Sequence, residues 1–191
     1  MTKSLLALIL LAGSAAGATI PRPAPELAIH MTDGNQTLLS SYRGKVVLLA
    51  FVFTTCSHCQ NVTGILNNLQ AEYAPKGVQV LESCFNDGAA NLTAAFKDQY
   101  VRGFPVGYDD KLTVLEFLQH SAIEPYFVPI IVYVDRKGII RSQYIGDEQY
   151  LKNPEASIRA SLDALLKEPA SGIKNMTRRK AGASTTSSLH R

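Results

Sequence analysis

Residues 45–59 read KVVLLAFVFTTCSHC. From Val46 to Phe53 this stretch carries no polar side chain, and most of its members are β-branched, leucine or aromatic. An unbroken run of that kind is the pattern of a strand buried on both faces of a sheet, unlike the alternation of a half-exposed strand. Immediately after it, Ser57 to Tyr73 has the length of a helix and places Val62, Ile65, Leu66 and Leu69 on one apolar face, with Pro75-Lys76-Gly77 to end it. The two cysteines, Cys56 and Cys59, therefore fall where a buried strand gives way to a helix.

Outward from this unit, Val78 to Phe85 reads as a second buried strand, Ala89 to Tyr100 as a helix, and Phe104-Pro105-Val106 as a short strand. A helix follows from about Leu112 to His120. Ile130–Val134 and Ile139–Ile145, joined by Asp135-Arg136-Lys137-Gly138, form the clearest hairpin, and Pro154 to Leu166 is a last amphipathic helix. Upstream, Pro21, Pro23 and Pro25 make an extended lead-in, and Asp33-Gly34-Asn35 marks a turn between two short strand-like pieces. Strands alternating with helices and closing in a hairpin predict an α/β fold with a central mixed β-sheet flanked by helices.

Two cysteines three positions apart at a helix start lie on one turn, so their sulfurs can reach bonding distance without moving the backbone. Cys56 sits at the helix N-terminus, where free N–H groups and the helix dipole favour a thiolate; Cys59 lies one turn further in. That asymmetry assigns Cys56 the exchange with a partner's sulfur and Cys59 the resolution of the mixed disulfide. His58 between them adds a positive charge that tunes the pKa of the pair toward the thiolate. A chance CxxC or half of a metal knuckle is the plainer alternative.

Several motifs taken together resemble a known family. Pro25-Glu26-Leu27, Asp33-Gly34, the Leu38–Tyr42 segment leading into Arg43-Gly44-Lys45, the CxxC and Val128-Pro129 before a strand are similar in order and spacing to the exported thioredoxin-like proteins of the TlpA and ResA type. The resemblance spans Pro25 to Leu166. It implies a thioredoxin fold with an added N-terminal β-hairpin, thiol-disulfide oxidoreductase activity through Cys56 and Cys59 with a redox-active disulfide and no other cofactor, and a cis peptide before Pro129. Val128 and Pro129 would then bind the substrate chain against the dithiol. Three positions depart from the family pattern. Thr55 replaces the usual Trp, Ser57-His58 replaces a Glu-Pro or Gly-Pro dipeptide, and neither Val62 nor Ala50 supplies the acid that relatives place near the second cysteine. No proton acceptor for Cys59 is identified in the sequence, and the direction of electron flow stays open.

Cys84 makes the thiol count odd. It reads either as a small buried side chain at the end of its strand or as a third redox thiol, since neighbouring strand ends converge on sites in α/β sheets. Phe85, Phe127 and Val128 are candidates for an apolar rim, with core packing the default for each. A Sco-like copper-binding assembly factor is the alternative function, because Phe51-Val52-Phe53-Thr54-Thr55-Cys56 is also similar to that family, and Cys56, Cys59 and a His such as His120 suit copper. The cysteine spacing is one residue short for it. His120 otherwise follows a helix end, where a cation is favourable. A peroxiredoxin would have Pro and Thr where Leu49 and Phe53 stand, and that reading fails.

Composition sets the frame for these motifs. The chain has 191 residues, 46% hydrophobic and 18% charged, which suits one soluble domain with tails. Its net charge is +3, but residues after Ala170 contribute five bases and no acid, so a nucleic-acid-binding face on the folded body has no support. Lys3, the apolar run Leu5–Ala12 and the small residues ending at Ala18 have the layout of a secretory signal, giving segments of 1–18 (signal), 19–168 (domain) and 169–191 (basic, Ser/Thr-rich tail, expected disordered). Export implies a periplasmic or other extracytoplasmic, oxidising setting, no stable membrane span after cleavage, and a monomer whose partners are cysteine-containing exported proteins and an upstream redox protein.

Overall fold

The computed structural model describes residues 18–168; the expected signal segment, apart from Ala18, and the tail lie outside them. Along the chain come β1 (Arg22–Pro23), β2 (Ala28–Met31), β3 (Gln36–Leu38), β4 (Val46–Val52), α1 (Ser57–Tyr73), β5 (Val78–Cys84), α2 (Ala89–Tyr100), β6 (Val106–Tyr108), α3 (Lys111–Leu118), β7 (Ile130–Val134), β8 (Ile139–Ile145), α4 (Glu148–Leu151) and α5 (Pro154–Lys167). The strands form one sheet in the order β1-β8-β7-β4-β5-β6-β2-β3. β4 lies inside it, parallel to β5 and antiparallel to β7, and all seven of its residues are buried. That placement is what its unbroken apolar run demanded.

Alternation along β4 divides the core between the two faces. Val46, Leu48, Ala50 and Val52 pack with Cys59, Val62, Leu66 and Leu69 of α1, Phe96 of α2, and Ile158 and Leu162 of α5. Val47, Leu49 and Phe51 pack on the other side with Val114, Phe117 and Leu118 of α3. α1 runs into a short 3-10 turn at Ala74–Lys76, and Gly77 then takes φ 89°, a left-handed conformation in which a Cβ is strained. Its carbonyl accepts from Val46 N–H at 3.0 Å, so this turn also ties α1's exit to the start of β4.

The expected N-terminal hairpin is present: β2 pairs with β3, and Asn35 N–H donates to Asp33 Oδ1 at 3.0 Å in the turn. It extends the sheet by pairing β2 with β6. Gly107 makes this approach feasible, because a Cβ there would lie 2.3 Å from the His30 carbonyl oxygen. The proline-rich lead-in does more than expected, since Arg22 and Pro23 pair with Ile140 and Ile139 at the far edge. The short strand expected from Phe104 starts instead at Val106, after Pro105, which has no N–H for a ladder. The four-residue α4, capped by the Asp147 side chain on Tyr150 N–H, has too short a period to be read from sequence. Among the described residues, no helix is long and apolar enough to cross a membrane.

Candidate active site

Between the end of β4 and the start of α1 the chain makes a tight corner. Thr54 N–H donates to Asn86 Oδ1 at 2.8 Å, Gln60 Nε2 donates to the Thr54 carbonyl at 3.0 Å, and Cys56 N–H donates to the Phe53 carbonyl at 3.1 Å. Cys56 is the N-cap of α1, with extended φ/ψ of −88° and 117°. Its Sγ stands where a Ser or Asp oxygen usually caps, and accepts the Cys59 N–H at 3.3 Å. A sulfur held as acceptor at a helix N-terminus is oriented as a thiolate would be.

The two cysteines differ in environment as their positions predict. Cys56 is half-buried, whereas Cys59 is wholly buried in the α1-side core. Burial above all pushes the Cys59 thiol far above its ordinary range; the Cys56 sulfur and the Glu82 carboxylate push the same way. All three cysteines are free thiols.

Glu82 is the residue that sequence reasoning missed. It lies in β5, paired with Ala50 on one side and Val106 on the other, and has no exposed surface. Its Oε1 is 2.6 Å from Thr63 Oγ1, and that hydroxyl is also 3.0 Å from the Cys59 carbonyl one turn back along α1. Its Oε2 has no hydrogen-bond partner. Burial raises this carboxyl to about 8, partly offset by the Thr63 hydrogen bond. The signal for it was a single charged residue inside an otherwise apolar strand, since charged side chains are almost never fully buried without a partner.

Other expected residues fall into place or out of it. The Val128–Pro129 peptide is cis. Because β7 pairs Ile130 with Phe51 in antiparallel register, Val128 and Pro129 come alongside the Phe53–Cys56 corner, with Pro129 buried and Val128 half-buried between the two core clusters. Phe127 next to them is 69% exposed, but Phe85 is not a rim residue. It is buried with Phe53 and Tyr126, at ring separations of 4.8 and 5.9 Å, because successive residues at the end of β5 point to opposite faces. Cys84 is fully buried in the same cluster as Cys59, and burial lifts its thiol to about 12.

His58 is exposed on the first turn of α1. His120 follows α3, its N–H bonded to the Leu115 carbonyl at 2.9 Å, and its ring meets Tyr126 edge-on. Among the described residues, no three His, Cys, Asp or Glu side chains gather as a metal site, so His120 is not brought together with Cys56 and Cys59.

A second buried carboxyl lies just past β6. Asp109 Oδ2 accepts from Ser83 Oγ at 2.7 Å, and Oδ1 is 3.4 Å from His30 Nδ1, whose ring stacks on Tyr108. Burial raises Asp109 to about 6 against the lowering by Ser83 and His30. Ser83 follows Glu82 in β5, so the two acids are served from opposite faces of one strand.

Comparison with known proteins agrees with this geometry. The chain is 28% identical over 124 residues to the thioredoxin-like protein YneN of Bacillus subtilis, covering 64% of this chain and 69% of that one. It is 28% identical over 142 residues to the thiol-disulfide oxidoreductase ResA of Bacillus thuringiensis subsp. konkukian, covering 70% and 77%. The fold matches that of a thiol:disulfide interchange protein of the thioredoxin family from Chlorobium tepidum at a TM-score of 0.64 and 17% identity, over 78% of this chain and 99% of that one. The pattern of the AhpC/TSA family matches residues 20–143, and with its thioredoxin fold and its Cys56–Cys59 pair the chain belongs to that family, on the thiol-disulfide oxidoreductase branch.

Proposed function

We propose that the protein is an exported thiol-disulfide oxidoreductase that exchanges the Cys56–Cys59 dithiol and disulfide with cysteines of partner proteins. The observation that carries this reading is the asymmetry within one turn: the Cys56 sulfur caps the helix at the surface and the Cys59 sulfur is buried beneath it. In the reducing direction the Cys56 thiolate attacks a partner disulfide, forms a mixed disulfide and releases one partner sulfur as thiolate. Cys59 then attacks Cys56, closing the Cys56–Cys59 bond and releasing the second partner sulfur. Two electrons pass to the partner, whose thiolates take up protons, and the oxidising direction is the reverse.

Val128 and Pro129, beside the Cys56 corner, are the proposed contact for the substrate chain, with exposed Phe127 next to them. His58 supplies a charge that favours the dithiol, and His58→Pro should make the couple more reducing, read as a lower equilibrium potential against glutathione. Export rests on the layout of residues 1–18, and the upstream redox partner follows from the need to reset the dithiol.

The test is chemical trapping. Cys59→Ser should accumulate mixed disulfides through Cys56 with a disulfide-bonded protein substrate, and alkylation of the reduced wild type near neutral pH should modify Cys56 well before Cys59. Equal reactivity of the two cysteines overturns the assignment. Retention of one equivalent of copper through dialysis against a moderate chelator, lost in His120→Ala, would favour the copper-binding alternative instead.

A further inference from the structure

Closing the disulfide requires Cys59 to lose a proton inside the core, where burial holds its thiol protonated. Bulk water does not serve that position, since Cys59 has no exposed surface. We propose that Glu82 is the internal base and acid of the dithiol, taking the Cys59 proton when the mixed disulfide is resolved and returning it when the disulfide is reopened.

Three observations support this, and it rests on the dithiol reading above. First, Glu82 lies between Val80 and Cys84 on the face of β5 that packs in the cluster around Cys59, joined to the Cys59 turn through Thr63. Ala50, opposite Glu82 on β4, is short enough to leave it that space. Second, Oε2 is fully buried with nothing bonded to it, so a lone pair is free to receive a proton. Third, the Thr63 hydroxyl has one hydrogen and two oxygens within reach, at 2.6 Å (Glu82) and 3.0 Å (Cys59 carbonyl). Both contacts are satisfied together only when Glu82 is protonated and donates to Thr63, which in turn donates to the Cys59 carbonyl. With the dithiol reduced, the network thus holds the proton on Glu82; loss of that proton primes the carboxylate to take another from Cys59.

Every ionisable neighbour fits this role. Cys59 faces Glu82 from α1 and Cys84 stands two residues further along β5, while β4 and β6 offer only Ala50 and Val106 at its pairing positions. No Lys, Arg or His among the described residues pairs with it, so no fixed cation locks it in the ionised form. In the resolving step the Cys59 S–H proton passes to Glu82, directly or across one water. The Cys59–Cys56 bond forms, the bond from Cys56 to the partner sulfur breaks, and the partner leaves as thiolate with both electrons of that bond. Glu82 then gives its proton to solvent as the site opens.

A two-phase assay with 5,5′-dithiobis(2-nitrobenzoate) isolates the step, because one thionitrobenzoate is released when Cys56 attacks and a second when Cys59 resolves. Wild type should show a second phase that quickens with pH and inflects near 8, a property of the Glu82–Cys59 pair. In Glu82→Gln the first phase should be unchanged and the second should be about 100-fold slower at pH 8, with its inflection lost. Glu82→Asp should keep an inflection at an intermediate rate, which a merely structural role would not restore. A second phase in Glu82→Gln with the wild-type rate and pH profile overturns the proposal. Should that variant not fold, a wild-type second phase with no inflection separate from the first overturns it equally. Absence of any second phase in wild type would instead overturn the dithiol reading itself.

Discussion

Glu82, in β5, and Asp109, bonded to that strand's Ser83, are both buried acids, yet their surroundings differ. Asp109 lies near the surface, with Ser83 on one oxygen and the half-exposed His30 on the other, so each oxygen has a partner. Glu82 lies deeper, with one oxygen bonded and the other bare, and its neighbours are thiols. A carboxyl beside a histidine holds two elements together. A carboxyl with no counter-charge and a free lone pair costs stability whenever it ionises, and such a cost persists where the group serves chemistry.

The sharpest way to break this contrast is the pH dependence of stability. Glu82 titrates near 8 in the fold and near 4.5 when unfolded, so the folded state holds the extra proton between those values. Stability from this group is therefore complete below about 4.5 and declines as pH rises through 8, by up to about 5 kcal/mol in the limit. Urea denaturation of the reduced protein at pH 6 and pH 9 should show Glu82→Gln gaining on wild type by about 3 kcal/mol at the higher pH. An equal difference at both values would mean that Glu82 is already ionised in the fold at pH 6, and its carboxyl is not raised.

Asp109 should behave likewise over a lower and narrower window. Its folded value near 6 exceeds the ordinary 3.8, so the stability it brings is lost between about 4 and 6, by at most about 3 kcal/mol. Asp109→Asn should flatten that window and leave the interval from 6 to 9 untouched. The smallest effect belongs to His30→Ala. Its ring is half-exposed, so removing it should cost under about 1 kcal/mol at pH 6, read as a shift of the urea midpoint. A larger loss from His30 than from either acid would reverse the comparison.

How legible these regions were differs for a physical reason. β4, α1, β5, α2 and the β7–β8 hairpin follow from period and length, because their apolar patterns are set by which faces are buried. The Cys56–Cys59 pair was visible for the same reason, being fixed by local helix geometry. Glu82 was not, because its role depends on which strand lies beside β4 and on which face of β5 meets α1, and both are tertiary facts. Asn86 and Gln60 escaped likewise, since each acts on the Thr54 backbone across a loop closed only in the fold. Phe85 took the core-packing default, while Phe127, offered with it for the rim, is exposed; which of the two lines the site depends on the register of the sheet.

The first strand has a consequence of its own. β1 reaches its partners, Ile139 and Ile140, more than a hundred positions later, and Arg22 reaches across to the Phe117 carbonyl at 2.7 Å. The hairpin that follows β1 is seated at the opposite edge of the sheet, against β6. The first strand is thus the one that waits longest for a partner. A nascent chain ending short of residue 139 leaves that edge of the domain unsealed, so β1 acts as a clasp that closes only once β8 has been made.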